Sequence, residues 1–166
     1  RMGFESQVYL GEIETQIEFS ERSYREFKDS IKAGDNKSIF YHAHHFLVHA
    51  INIDKLLDST NSPQRNKAIA KYNLAEMVDL KPFRRLRNHL EHYETRLDRW
   101  LKKNTASNFF DRNIIVGAVN FPFESALRTL DNEVFVFQGE RYDLDILFDQ
   151  ILKVKAKLPN LIDRWD

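Results

Sequence analysis

The sequence contains no cysteine. That excludes disulfides, Cys-based zinc sites and thiol nucleophiles, and it fits a reducing compartment, so a cytoplasmic location is expected. Net charge is also lacking: 25 Lys and Arg balance 25 Asp and Glu. A protein that held nucleic acid by bulk charge would be basic, so any RNA contact must come from a local patch. No run of about 18 apolar residues occurs, which excludes a membrane span and argues against a membrane partner. Residues 3–10 lack the pattern of a secretory signal. No internal repeat and no low-complexity linker divides the chain. Its 166 residues suggest a single domain over 1–166, large enough to bury roughly 70% of its unfolded surface without staples.

What is present is mostly helical periodicity. Residues 4–33 read as a first helix, with Val8, Ile13, Ile17, Phe19, Tyr24, Phe27 and Ile31 at helical spacing and dense charge between them. Gly34 suits the position just past its end, and Asp35 can cap the next helix. That second helix, 36–58, is apolar on more than one face through Phe40, Ala43, Phe46, Leu47, Ala50, Ile51, Ile53, Leu56 and Leu57. Such a helix is central or contacts a second chain. A loop over 58–63 precedes a short helix over 64–77. After Asn104 the β-branched and aromatic runs 113–119 and 133–137 predict two short strands, separated by an irregular or briefly helical 121–127 and followed by a Gln138-Gly139 turn. Asp143 can cap a closing helix bearing Leu144, Leu147, Phe148, Ile151, Leu152 and Leu158 and stopped near Pro159. The expected fold is mainly α: an up-and-down helical bundle over 4–104, a small two-stranded β element over 112–142, and a C-terminal helix over 143–160. The β element would shield a cleft edge or extend a dimer surface.

The rest of the chain is organised around residues 80–103, LKPFRRLRNHLEHYETRLDRWLKK. Phe83, Leu86, Leu90, Tyr93, Leu97, Trp100 and Leu101 recur at steps of three and four, which predicts one buried stripe on one helix of roughly 35 Å. Pro82 suits its first turn, and Arg99, Lys102 and Lys103 suit its last. Asn88 and His92 are four apart, so they lie on one ridge. Arg87 sits about 140° around the helix from His92, within reach of a long side chain. A guanidinium, an amide and an imidazole then face one spot, and those groups suit phosphate binding and proton transfer at neutral pH. Lys81, Arg84 and Arg85 make a basic patch beside them.

This pattern, Arg87-Asn88 followed by His92 on a long amphipathic helix that comes after the helix of FYHAHHFLVHAINIDKLLD, resembles the HEPN superfamily over about residues 35–105. The resemblance implies an endoribonuclease working as a homodimer with a composite, metal-independent site, no cofactor, and a 2′,3′-cyclic phosphate and a 5′-hydroxyl as products. It also implies the toxin or defence component of a bacterial system, with an antitoxin protein as a partner. In that reading Arg87 holds the scissile phosphate, His92 acts as base or acid at the 2′-hydroxyl, and Asn88 orients one or the other. Lys81, Arg84, Arg85 and His89 flank it as phosphate contacts. The bland reading is that Arg87 pairs with Glu91 one turn on and His92 is a surface histidine. Glu91, a carboxylate beside the motif, would repel RNA.

Three further sets compete. Arg84 and His89 repeat the Arg87–His92 spacing without the following amide, so the motif has a second register; alternatively His89 packs against Tyr93. His42, His45 and His49, with His44, could ligate a metal from one helix face, or form a polar seam against the 80–103 helix or a partner subunit. Phe109, Phe110, Phe121, Phe123, Phe135 and Phe137 could stack bases, or form core. A catalytically silent module that binds nucleotide or RNA, or only dimerises, is the alternative function, and a metal-binding bundle is a third.

Overall fold

The computed structural model describes residues 2–104, 111–116 and 120–159. Phe109, Phe110 and the second half of the predicted 113–119 strand lie outside these. Among the described residues the chain forms six α-helices and a small four-stranded sheet.

Helix α1 (Phe4–Ala33) ends as its sequence predicts, with Gly34 at φ 67° donating its N–H to the carbonyl of Ile31. Asp35 then accepts from the N–H of Ser38 and starts α2 (Asn36–Leu57). The two helices pack along their length. From α1 come Leu10, Ile13, Ile17 and Phe27, and from α2 Ile39, Phe40, Phe46, Leu47 and Ile53, all buried. Ala43 and Ala50 of α2, and Ser20 and Ser23 of α1, are buried too; small residues let two helices approach closely. Ser20 and Ser30 satisfy their hydroxyls on the carbonyls four residues back, so their burial leaves no donor unpaired. The apolar character of α2 is thus taken up largely within one chain, by α1 on one side and by the sheet and later helices on the others.

Helix α3 (Pro63–Ile69), capped by Ser62, is shorter than predicted. Two single 3₁₀ turns, Ala70–Tyr72 and Ala75–Met77, replace its second half, with Asn73 left-handed between them at φ 52°. Ser6 donates to the Ala68 carbonyl and ties α3 to α1.

The predicted 80–103 helix is two helices. α4 (Lys81–Glu91) and α5 (Tyr93–Lys103) meet at His92, whose φ of −117° and ψ of 39° leave the α-helical region. The ladder is bent rather than cut: His92 still donates to Asn88, and Arg96 to His92. The Thr95 hydroxyl also donates to the His92 carbonyl, at 2.8 Å, a side-chain competitor of the kind that bends helices. The bend serves packing. α4 buries Phe83 and Leu86, while α5 turns Trp100, 2% exposed, so that its indole N–H reaches the Ser125 carbonyl at 2.6 Å. Leu101, read as part of the buried stripe, is instead 49% exposed.

Four strands stand where two were expected. β1 (Asn113–Ile115) runs parallel to β2 (Arg128–Asp131); β2 pairs antiparallel with β3 (Val134–Phe137), and β3 with β4 (Glu140–Tyr142). Both hairpins turn on two residues of positive φ, Asn132-Glu133 and Gln138-Gly139, the geometry that matches strand twist. Glu133 therefore belongs to a turn and not to a strand. At Gly139 a Cβ would also press on Glu124, 3.1 Å away. Phe135 and Phe137 point into the core, which removes them as a stacking platform; Phe121 and Phe123 are half-buried against each other. Helix α6 (Leu144–Lys157), capped by Asp143 as predicted, closes on α1. Tyr24 stacks on Phe148 at 4.0 Å and donates to Asp145. No helix among the described residues is long and apolar enough to cross a membrane.

Candidate functional site

The cations of α4 and its junction with α5 divide into two groups. Arg84 is committed: its Nε and a terminal nitrogen reach both carboxylate oxygens of Asp54 on α2, at 2.9 and 3.2 Å. Asp54 is 8% exposed, so this bidentate pair neutralises a carboxylate within the α2–α4 interface. Arg85 is committed to Glu140 on β4, at 2.7 Å. His89, its side chain 14% exposed, stacks on Phe137 with ring centroids 4.7 Å apart. It packs there and not on Tyr93.

The network around His89 fixes its tautomer. Arg96 Nε donates to its Nδ1 at 2.9 Å, and a guanidinium does not give up its proton. Nδ1 must therefore be the acceptor, and the neutral ring carries its proton on Nε2. That atom faces a Glu140 oxygen at 3.6 Å, an electrostatic contact too long for a hydrogen bond. Desolvation, aided by the charges of Arg96 and Arg85, holds His89 below the ordinary histidine range against the opposing pull of Glu140. Burial raises Glu140, but the Tyr142 hydroxyl bonded to it and the charges of Arg85 and His89 outweigh that and lower it.

Arg87, Asn88 and His92 are the second group. Among the described residues, no hydrogen bond or ion pair holds their side chains. Asn88 and His92 are exposed. Arg87 is half-buried and lines a groove of about 100 Å³ between α2 and α4, with His44, Val48, Ile51, Asn52, Lys55, Leu90 and Glu91. Its Nε is buried and has no hydrogen-bond partner. The Arg87–Glu91 pair of the bland reading does not form; Glu91 is taken by Lys55 of α2 at 2.8 Å. That hydrogen bond, with the charges of Lys55, Arg87 and His92, holds the Glu91 carboxyl below its usual range.

Lys81, exposed at the start of α4, borders a separate cleft with Asp54, Asp58, Asp79 and Arg84. The patch predicted from Lys81, Arg84 and Arg85 is thus interleaved with carboxylates. His42, His45 and His49 do not converge on one point. His42 faces Glu26 at 3.1 Å, His49 faces Gln16 at 3.0 Å with Phe19 against its ring, and His45 lies under Tyr41. Among the described residues no group of three or more His, Asp or Glu could hold a metal ion. His42 and His49 make a polar seam against α1, whereas His44 lines the groove between α2 and α4 with Arg87.

The β element holds the bend. Arg128 at the start of β2 is clamped by Asp111, whose side chain is 2% exposed, through its backbone N–H and two guanidinium nitrogens. The same guanidinium lies 4.8 Å from the ring centre of Tyr93, the residue after His92. Together with His89 on Phe137, this pins both sides of the α4–α5 junction to the sheet.

Sequence reasoning missed Lys55, Asn52 and His44 as neighbours of Arg87. The signal was there: with Val48 they follow at steps of four, four and three, a polar ridge on an otherwise apolar helix. In comparisons with known proteins the chain matches no family model, no curated protein and no solved structure.

Proposed function

We propose that the chain is an endoribonuclease of the HEPN type, a helical bundle working as a homodimer and needing no metal or other cofactor. The single observation that carries this reading is the division of the α4 cations. The Arg84–His89 register is consumed by Asp54, Arg96 and Phe137, whereas the Arg87–His92 register is left unpaired. A buried guanidinium N–H without a partner, as at Arg87 Nε, is costly to keep unless a ligand uses it.

In the proposed reaction Arg87 binds the non-bridging oxygens of an RNA phosphate and stabilises their growing charge. His92 takes the proton of the 2′-hydroxyl, whose oxygen forms a bond to phosphorus as the bond to the 5′-oxygen breaks. The leaving 5′-oxygen needs a proton, and one histidine cannot both remove and deliver in a single step. A two-fold dimer supplies His92 of the second copy for that task. Asn88, one turn from His92, orients the phosphate or the imidazole. A toxin or defence role, with an antitoxin partner, follows only from the sequence resemblance.

A second reading has its own support. Arg87 lines the α2–α4 groove while His92 does not, as expected for a module that binds nucleotide or RNA without cutting it. Incubating RNA with the protein in EDTA separates the two: cleavage to cyclic-phosphate ends is expected, and intact RNA favours the silent module. Sedimentation at micromolar concentration is expected to give a dimer; a monomer would remove the composite site.

A further inference from the structure

The groove holding Arg87 is lined more by α2 than by the motif helix. Lys55, Asn52 and His44 face it across a floor of Ile51, Leu90 and Val48. Its volume of about 100 Å³ suits a few waters or one phosphate group. Two cations and an amide line it: the Arg87 guanidinium with its buried, unpartnered Nε, the Lys55 ammonium, and the Asn52 side chain, which donates to Gln16 at 3.2 Å. The one anion is Glu91, on Lys55 at 2.8 Å. That pair is about half exposed at both ends, and pairs of that kind hold weakly. A phosphate has enough acceptor oxygens to satisfy Arg87 Nε and Lys55 together, where the Glu91 carboxylate reaches only Lys55.

We propose that this groove is a seat for one phosphate of a phosphodiester, held by Arg87 of α4 and Lys55 of α2, with Glu91 occupying Lys55 until the phosphate displaces it. The choice of a phosphodiester rests on the ribonuclease reading; the seat itself rests on the groove. Lys55 then contacts substrate, and Glu91 is an internal competitor. The carboxylate beside the motif repels RNA only while it is unpaired, and Lys55 masks it in the free protein.

The test is equilibrium binding of a short 2′-deoxyoligonucleotide to the full chain in EDTA at low salt. The probe lacks the attacking hydroxyl, so binding is read without cleavage. Glu91→Gln is expected to tighten binding about three- to fivefold, by removing the competing ion pair. Lys55→Gln is expected to weaken it about tenfold, by removing a charge-assisted contact. Lys153→Gln, exposed on α6, should stay within about twofold, as one distant charge. A tightening in Glu91→Gln cannot come from misfolding. Unchanged or weaker binding there, or equal losses in Lys55→Gln and Lys153→Gln, overturns the seat. Inorganic phosphate forms a second arm: preference for the oligonucleotide at equal phosphate concentration supports the diester, and no preference overturns that assignment. If binding follows the expected order but RNA survives incubation, the ribonuclease reading fails and the seat stands. If RNA is cut and the order is not seen, the seat fails alone.

Discussion

Two Arg–His pairs of equal spacing lie three residues apart on α4 and its junction with α5, and the fold treats them in opposite ways. Arg84 and His89 are both engaged: one completes the interface with α2 through Asp54, the other joins α4, α5 and the sheet through Arg96, Glu140 and Phe137. Arg87 and His92 make no such bonds, and His92 falls on the bend between the helices. Three residues turn a helix by about 300°, enough to move each pair onto a different neighbour. The spacing of a motif therefore does not select its register. What selects it is which side chains the folded protein has already used.

The comparison is broken most sharply by exchanging the histidines. His92→Ala is expected to lower RNA cleavage by about 10²–10⁴-fold, the usual loss for a positioned acid or base, with the thermal midpoint unchanged because the side chain is exposed. His89→Ala should do the reverse, lowering stability while any remaining folded protein still cuts. Equal cleavage loss in His89→Ala, with His92→Ala active, would assign the chemistry to the other register. Arg87→Lys should be nearly as damaging as Arg87→Ala, about 10²-fold in rate, because an ammonium cannot hold two phosphate oxygens in fixed geometry. Near-normal turnover in the lysine variant would reduce Arg87 to a source of charge.

The arginines sharpen the same contrast through stability. Arg84→Met removes both hydrogen bonds to Asp54 and leaves that carboxylate unpaired at 8% exposure. A loss of about 1–3 kcal/mol in denaturant unfolding is expected. Arg87→Met gives up no bond within the described residues and should stay within about 0.5 kcal/mol. Equal losses would mean that both arginines are structural.

How much of this was legible in the sequence depended on the range of the cause. α1, α2 and α6 were readable to within three residues at each end because their signals are local: Gly34 past one end, Asp35 and Asp143 at the next starts, and long apolar periodicity between. The bend at His92 was not, because the 80–103 stripe keeps helical spacing straight through it; the break accompanies Trp100 reaching Ser125, in the connection before β2, and Tyr93 meeting Arg128 of β2. β2 and β4 were missed because RTLD and ERY carry charge where a strand signal expects apolar residues; their arginines are paired by Asp111 and by Asp131 and Glu140 is paired by Arg85. At the site, Arg87 and His92 were legible as residue types. That Lys55, 36 residues away from Glu91, takes the carboxylate that the bland reading gave to Arg87 depends on how α2 and α4 pack, which no local pattern encodes.

The smallest expected effect tests the committed side of the comparison alone. His89 is held below its ordinary value of 6.5, chiefly by desolvation. Between that value and the lower one in the folded protein, the unfolded chain binds a proton that the folded chain refuses. Stability from this group is therefore fully present above about pH 6.5 and is lost as pH falls toward the folded value. Protonation would also place an N–H on Nδ1, against the Arg96 guanidinium that donates to it. His89→Gln keeps an acceptor for Arg96 and removes the titration. His44 and His49 are lowered as well, also chiefly by desolvation, but both proteins share them, so they cancel in the difference. Denaturant unfolding of the two proteins from pH 7.5 to 5 should show the native protein losing stability faster than the variant as pH falls. Parallel curves would mean that folding does not hold His89 below its ordinary value, and that only its packing on Phe137 and its bond from Arg96 separate it from His92.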